Sequence, residues 1–203
     1  MRFSSATAIL PAILHAADAP GSPGPALVNG SFEADRLDTH PGYARSISGW
    51  THTGNVGLNP WWLDPKAPAG PQRPFADNGR IPHGRQVALL QNICTLSQSI
   101  PGFEKGKRYQ VTYFENARHN RQPGRHPRIT LLLGGETIVS PHAIEPVEGY
   151  EVFTLPYNFV ESALFTAPAS GAFDLVFRTL EGDRVTALID DVRIAEVAPG
   201  QPG

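Results

Sequence analysis

The chain has 203 residues, 40% of them hydrophobic, which is enough for one domain with a core of its own. A formal net charge of −2 excludes a generally basic nucleic-acid binder and a strongly acidic scaffold. Twenty glycines and twenty prolines would interrupt a helical bundle repeatedly, whereas they suit an all-β chain with many turns. The only cysteine, Cys94, rules out an intrachain disulfide and any C-x-x-C metal or redox motif. In the apolar run CTLSQSI it reads as an inert packing residue.

Residues 1–19 (MRFSSATAILPAILHAADA) combine one early arginine, a short apolar middle broken by Pro11 and His15, and small residues where a cleavage site would fall. That pattern predicts a signal peptide, and with it a secreted, cell-surface or periplasmic protein. A chain without disulfides is equally compatible with a reducing cytoplasm. No other stretch is apolar for long enough to cross a bilayer. A Pro/Gly linker follows over residues 20–25, and APGQPG (198–203) mirrors it, bracketing a module of residues 26–197.

Within the module, LVNGSFE (27–33) reads as a first short strand. Residues 36–84 are loop-rich and hold Trp50, Trp61 and Trp62. QVALL (86–90) and CTLSQSI (94–100) form a candidate strand pair, followed by the strand-like runs RYQVTYFENA (108–117), RITLLL (128–133) and YEVFTL (150–155). Residues 162–194 give three more strands divided by PASG and EGD, ending in LIDDVRI (188–194). No helical period and no internal repeat is present. The expectation is an all-β, two-sheet antiparallel β-sandwich or jelly roll.

Two of these strands carry acids where a buried strand wants none. The first and last strands of an antiparallel sandwich often lie side by side, which would bring Glu33 near Asp190 or Asp191. Carboxylates that close repel unless a cation intervenes, and Ca²⁺ takes six to eight oxygens from carboxylates, carbonyls and water. Gly30 leaves room for the backbone to approach. The plainer alternative is a surface acid at a strand end and an aspartate pair capping the last strand.

Taken together, LVNGSFE, SGW (48–50), FADNGRIPHGRQVALLQ (75–91), LSQSIPGFEKGKRYQVTYFENAR (96–118), FTAPASGAFDLVF and LIDDVRI resemble bacterial extracellular carbohydrate-binding modules of the galactose-binding-domain-like jelly-roll class. The resemblance spans about residues 26–195. It implies a non-catalytic, monomeric module that binds a polysaccharide or other glycan, neither nucleic acid nor the membrane interior. It also implies a structural calcium held by Glu33 and by Asp190 or Asp191, acting as a staple between chain ends. The glycan itself is not fixed by the fold.

A sugar site needs flat aromatic faces and fixed polar groups. NPWWLDP (59–65) sets Trp61 and Trp62 in a Pro-rich loop, where they either pack beneath it or meet a ligand, while Trp50 reads as core. NARHNRQPGRHPR (116–128) gathers Arg118, Arg121, Arg125 and Arg128 with His119 and His126. Such a patch suits anionic groups on a polysaccharide, or else is a solvated loop. Glu115 and Asn116, at the strand end feeding that loop, and Asp77 and Asn78 in FADNG have the chemistry to bond neutral hydroxyls. G-x-S-x-G, H-E-x-x-H, P-loop and dinucleotide motifs are absent, which argues against an enzyme. A structural or adhesive, protein-binding sandwich of the cell envelope is the alternative reading, and it expects both loop tryptophans to be buried.

Overall fold

The computed structural model describes residues 24–35, 46–60, 76–119, 125–149, 152–180 and 185–198. Among these residues the chain forms nine strands and no helix: β1 Thr51–Pro60, β2 Gln86–Phe103, β3 Arg108–Ala117, β4 Arg128–Leu133, β5 Glu136–Ala143, β6 Asn158–Glu161, β7 Phe165–Thr166, β8 Gly171–Thr179 and β9 Thr186–Val197.

The strands make two layers joined through β2, and every ladder is antiparallel. The second half of β2 (residues 95–103) pairs with β8, and β4 and β5 continue that layer outward. The first half (residues 88–91) pairs instead with β9, and β3, then β6 and β7, continue the other layer. β1 follows β2 through both, with a register shift between Thr53 and Asn55. The ribbon turns its corner there: Gly54 has φ 73° and Asn92 φ 60°. A Cβ on Gly54 would lie 2.8 Å from the Cβ of Cys94 and from the carbonyl oxygen of Ile93, so only glycine fits without strain.

Between the layers lies the main core, fed by the period-two alternation of each strand. Tyr109, Val111 and Tyr113 of β3 point inward, opposite Leu131 and Leu133 of β4, Leu175 and Phe177 of β8 and Ile100 of β2. Trp50 lies in this core as expected, its ring centroid 5.4 Å from Phe32 and 6.3 Å from Phe177, with its Nε1–H donating to the Asn29 carbonyl at 3.0 Å. Cys94 is buried at the corner, where burial pushes its thiol pKa up, as befits an inert packing residue. A smaller cluster of Ala76, Val87, Leu89, Tyr157 and Leu188 covers the outer face of the second layer.

The sequence pattern misplaces several elements. LVNGSFE is a turn and not a strand: Asn29 (φ 52°) and Phe32 (φ 59°) adopt left-handed backbone three residues apart, and the Phe32 N–H closes back on the Asn29 carbonyl at 3.2 Å. It nevertheless lies against the last strand, because the Val192 N–H donates to the Gly30 carbonyl at 2.8 Å. The described part of YEVFTL, residues 152–155, is also irregular. Its Thr154 and Leu155 N–H groups bond the Glu148 carboxylate, and its Val152 and Leu155 carbonyls accept from Gly79 and Arg80, so no ladder is needed. Conversely β1, β5 and β6 form from polar or short runs that carry little strand signal of their own.

Candidate functional site

Gly30 shapes the approach of the first turn to β9. A Cβ there would stand 2.1 Å from the Val192 carbonyl oxygen, so glycine alone allows the contact. Glu33, three residues on, accepts hydrogen bonds from the Arg85 and Gln86 N–H groups at 2.8 and 2.9 Å. Asp190 of β9 accepts from the His83 and Asp191 N–H groups at 2.8 and 2.7 Å. Two acids 157 positions apart (190 minus 33) thus meet one backbone stretch, residues 83–86. Asp190 is fully buried, and burial pushes its pKa up to about 8, with the charges of Asp191 and Glu33 adding while the two N–H donors oppose.

Among the described residues no lysine or arginine offsets this buried acid. The Gln86 side-chain amide donates to the Phe32 and Asp35 carbonyls, which flank Glu33 in sequence. An all-oxygen set of this kind fits a hard cation. Asp191, with φ 49°, holds Arg193 through two bonds of 3.0 and 2.8 Å. Among the described residues no three His, Cys, Asp or Glu side chains gather as a metal cluster, so a cation here would rely on carbonyls and water beyond Glu33 and Asp190.

The expected sugar ligands are scattered differently. Trp61, Trp62 and Arg121 lie outside the described residues. Asn116 is fully buried and its amide is engaged by protein: Nδ2 donates to the Asn78 carbonyl at 3.1 Å, while Oδ1 accepts from Ala117 and Val147 N–H at 2.9 and 3.1 Å. It braces loops and offers nothing to a ligand. Asp77 is also buried, and accepts from the His119 N–H at 2.9 Å and from Arg118 Nε at 3.4 Å. Burial raises its pKa to about 6 against the pull of the His119 N–H and Arg118. Arg118 and His119 are half-buried at the root of the arginine loop, and His119 Nδ1 is enclosed without a hydrogen-bond partner among the described residues.

An aromatic face that sequence reading missed stands on the second layer. Phe159 of β6 is 56% exposed and packs on Phe114 of β3, with ring centroids 5.2 Å apart. Thr112 and Glu161, the next pair along the same ladder face, supply a hydroxyl and a carboxylate beside the rings. Nothing in NFVE distinguishes this ring from a core residue, because its exposure depends on how far β3 and β6 lie from the covering loops.

No protein-family model matches the chain, and no curated protein matches it. Solved structures do. The chain is similar to a tandem of two modules, CBM22-1 and CBM22-2, of Paenibacillus barcinonensis Xyn10C, at 14% identity and a TM-score of 0.51; the match covers 90% of this chain and 50% of that one. The TmCBM61 module, solved with β-1,4-galactotriose, matches at 13% identity and TM-score 0.48 over 77% of this chain and 99% of its own. The single CBM22-1 xylan-binding domain of Paenibacillus barcinonensis Xyn10C matches at 11% identity and TM-score 0.46 over 73% and 86%. These structural neighbours are carbohydrate-binding modules, and the likeness to the tandem, at a TM-score of 0.51 and 14% identity, shows the shared β-sandwich jelly-roll fold alone.

Proposed function

We propose that this chain is a non-catalytic glycan-binding module, stabilised by a structural calcium and working outside the cytoplasm. Phe159 carries the glycan reading: a solvent-facing ring, supported from below by Phe114 and flanked by Thr112 and Glu161, has the flat apolar face and adjacent polar groups that a pyranose ring requires. The jelly-roll fold agrees with it. Trp61, Trp62, Arg118, His119 and Arg121 are candidates for further contacts, with the arginines favouring acidic sugars. Calcium is supported by the convergence of Glu33 and the buried Asp190 on residues 83–86, and export by the pattern of residues 1–19.

The test is retention on a panel of immobilised polysaccharides, with calcium and then with EGTA. The calcium-loaded protein is expected to bind one polysaccharide class, and Phe159→Ala to weaken retention at least tenfold, on the order of one lost aromatic contact. A folded Phe159→Ala variant with undiminished retention would remove the ring from the site. No retention at all would favour a protein-binding envelope module, for which the exposed apolar side chains Val152, Leu155 and Phe159 in one short segment are the specific support.

A further inference from the structure

The interior holds an ionisable cluster used by neither the cation site nor the aromatic face. Glu115, inward-facing on β3, is 4% exposed. Tyr113 Oη of the same strand donates to its Oε2 at 3.1 Å, and His142 Nε2 of β5, in the opposite layer, lies 2.7 Å from its Oε1. The second ring nitrogen fixes the proton count. Nδ1 stands 3.0 Å from the Ser140 carbonyl oxygen, and a carbonyl only accepts, so Nδ1 carries a hydrogen. A ring protonated at Nδ1 bonds a carboxyl group through Nε2 only if another proton lies between them, either on Nε2 facing a carboxylate or on Oε1 facing the ring.

His142 is the penultimate residue of β5, and the connection to β6 starts two residues on at Ile144, whose N–H donates to the Pro127 carbonyl at 2.9 Å. Along it, the Val147 N–H reaches Asn116 Oδ1 at 3.1 Å, and the carbonyls of Val152 and Leu155 accept from Gly79 and Arg80 at 3.0 and 2.7 Å. The connection thereby holds down residues 78–80 over the outer face of the second layer. Among the described residues, the ionisable groups next along these elements are His126 and Glu145, 3.1 Å apart, and Arg128 of β4, which pairs with Ala143. Burial, then the Glu115 charge, pushes the Tyr113 phenol well above its ordinary range, so it stays a donor throughout.

We propose that the proton shared by Glu115 and His142 clasps the two layers and anchors the first stretch of the β5–β6 connection, residues 144–149, and that its loss as pH rises frees that stretch. The sign follows from the partners. The Glu115 hydrogen bond, aided by the Ser140 carbonyl and opposed by burial, holds His142 above its ordinary value of 6.5. The stabilisation is therefore complete below pH 6.5 and disappears as pH climbs through the higher folded value.

The experiment is a pH titration of the calcium-loaded full chain, reading His142 by long-range ¹H–¹⁵N correlation and the connection by amide exchange corrected for intrinsic rates. His142 should keep both ring protons above pH 6.5. Over its titration, protection at Ile144 and Val147 should fall on the order of tenfold relative to the β2–β9 ladder. Glu115→Gln should abolish both effects. Titration of His142 at or below 6.5, or connection amides that follow the ladder at every pH, overturns the proposal, and these wild-type readings decide it even if the variant does not fold.

Discussion

Asp77 and Asp190 are both pushed up by burial, but their surroundings differ and so do the expected responses to mutation. Asp77 has Arg118 and the His119 N–H as partners and still rises to about 6 from 3.8. A carboxyl raised on folding contributes stability that is complete below the unfolded value and lost as pH rises through the folded one. Asp77→Asn should therefore flatten the stability profile between pH 4 and 6 and stabilise the protein by about 1–2 kcal/mol at pH 7, read from urea unfolding at each pH. Asp190, raised to about 8, has no basic partner among the described residues, and a cation there would compete with its proton. Calcium should bind more tightly as pH rises through 8, and at a hundredfold excess over Kd it should add about 2.7 kcal/mol of stability. Asp190→Asn should abolish that calcium response, measured as the shift in Tm. Trp50 and Cys94 are legible as packing residues because an indole or a thiol in an apolar run implies its surroundings, and the convergence of Glu33 and Asp190 is legible as two acids at opposite ends of the chain, the cation between them being proposed. Phe159 is not, since phenylalanine in a short run implies burial and only the packed structure exposes it.

At the scale of elements, sequence alone gives β3 and β4 residue for residue, because their alternation is strong and turn residues bound them. QVALL and CTLSQSI, read as a pair, are two halves of one bent strand, since the positive φ of Asn92 joins them without a turn. The reverse error occurs at YEVFTL, where the Glu148 carboxylate takes the N–H groups that a neighbouring strand would need. The corner of the β1–β2 ribbon is the element most exposed to substitution. Gly54→Ala should cost about 2 kcal/mol in urea unfolding, from left-handed backbone and from contact with Cys94, while the m-value stays unchanged. A similar loss of Cm with a reduced m-value would mean that the corner governs how much of the sandwich unfolds together.

For the molecule as a whole, the passage of β2 through both layers means that neither layer can lose its ladder without disturbing the other. Thermal unfolding should be one transition, coincident by near- and far-ultraviolet circular dichroism. The all-β architecture was legible from composition and turn spacing, whereas the layer assignment depends on long-range pairings that no local pattern encodes. The Ala26 N–H bonds the Pro101 carbonyl at 3.1 Å, and Arg108 Nη2 bonds the Ala198 carbonyl at 2.8 Å, so both ends of the described chain leave beside the connection from β2 to β3. Arg118 and His119 stand beyond the far end of β3. A label attached at residue 24 or 198 would therefore sit at one pole and Arg118 and His119 at the other, like a lamp wired and mounted at the same base.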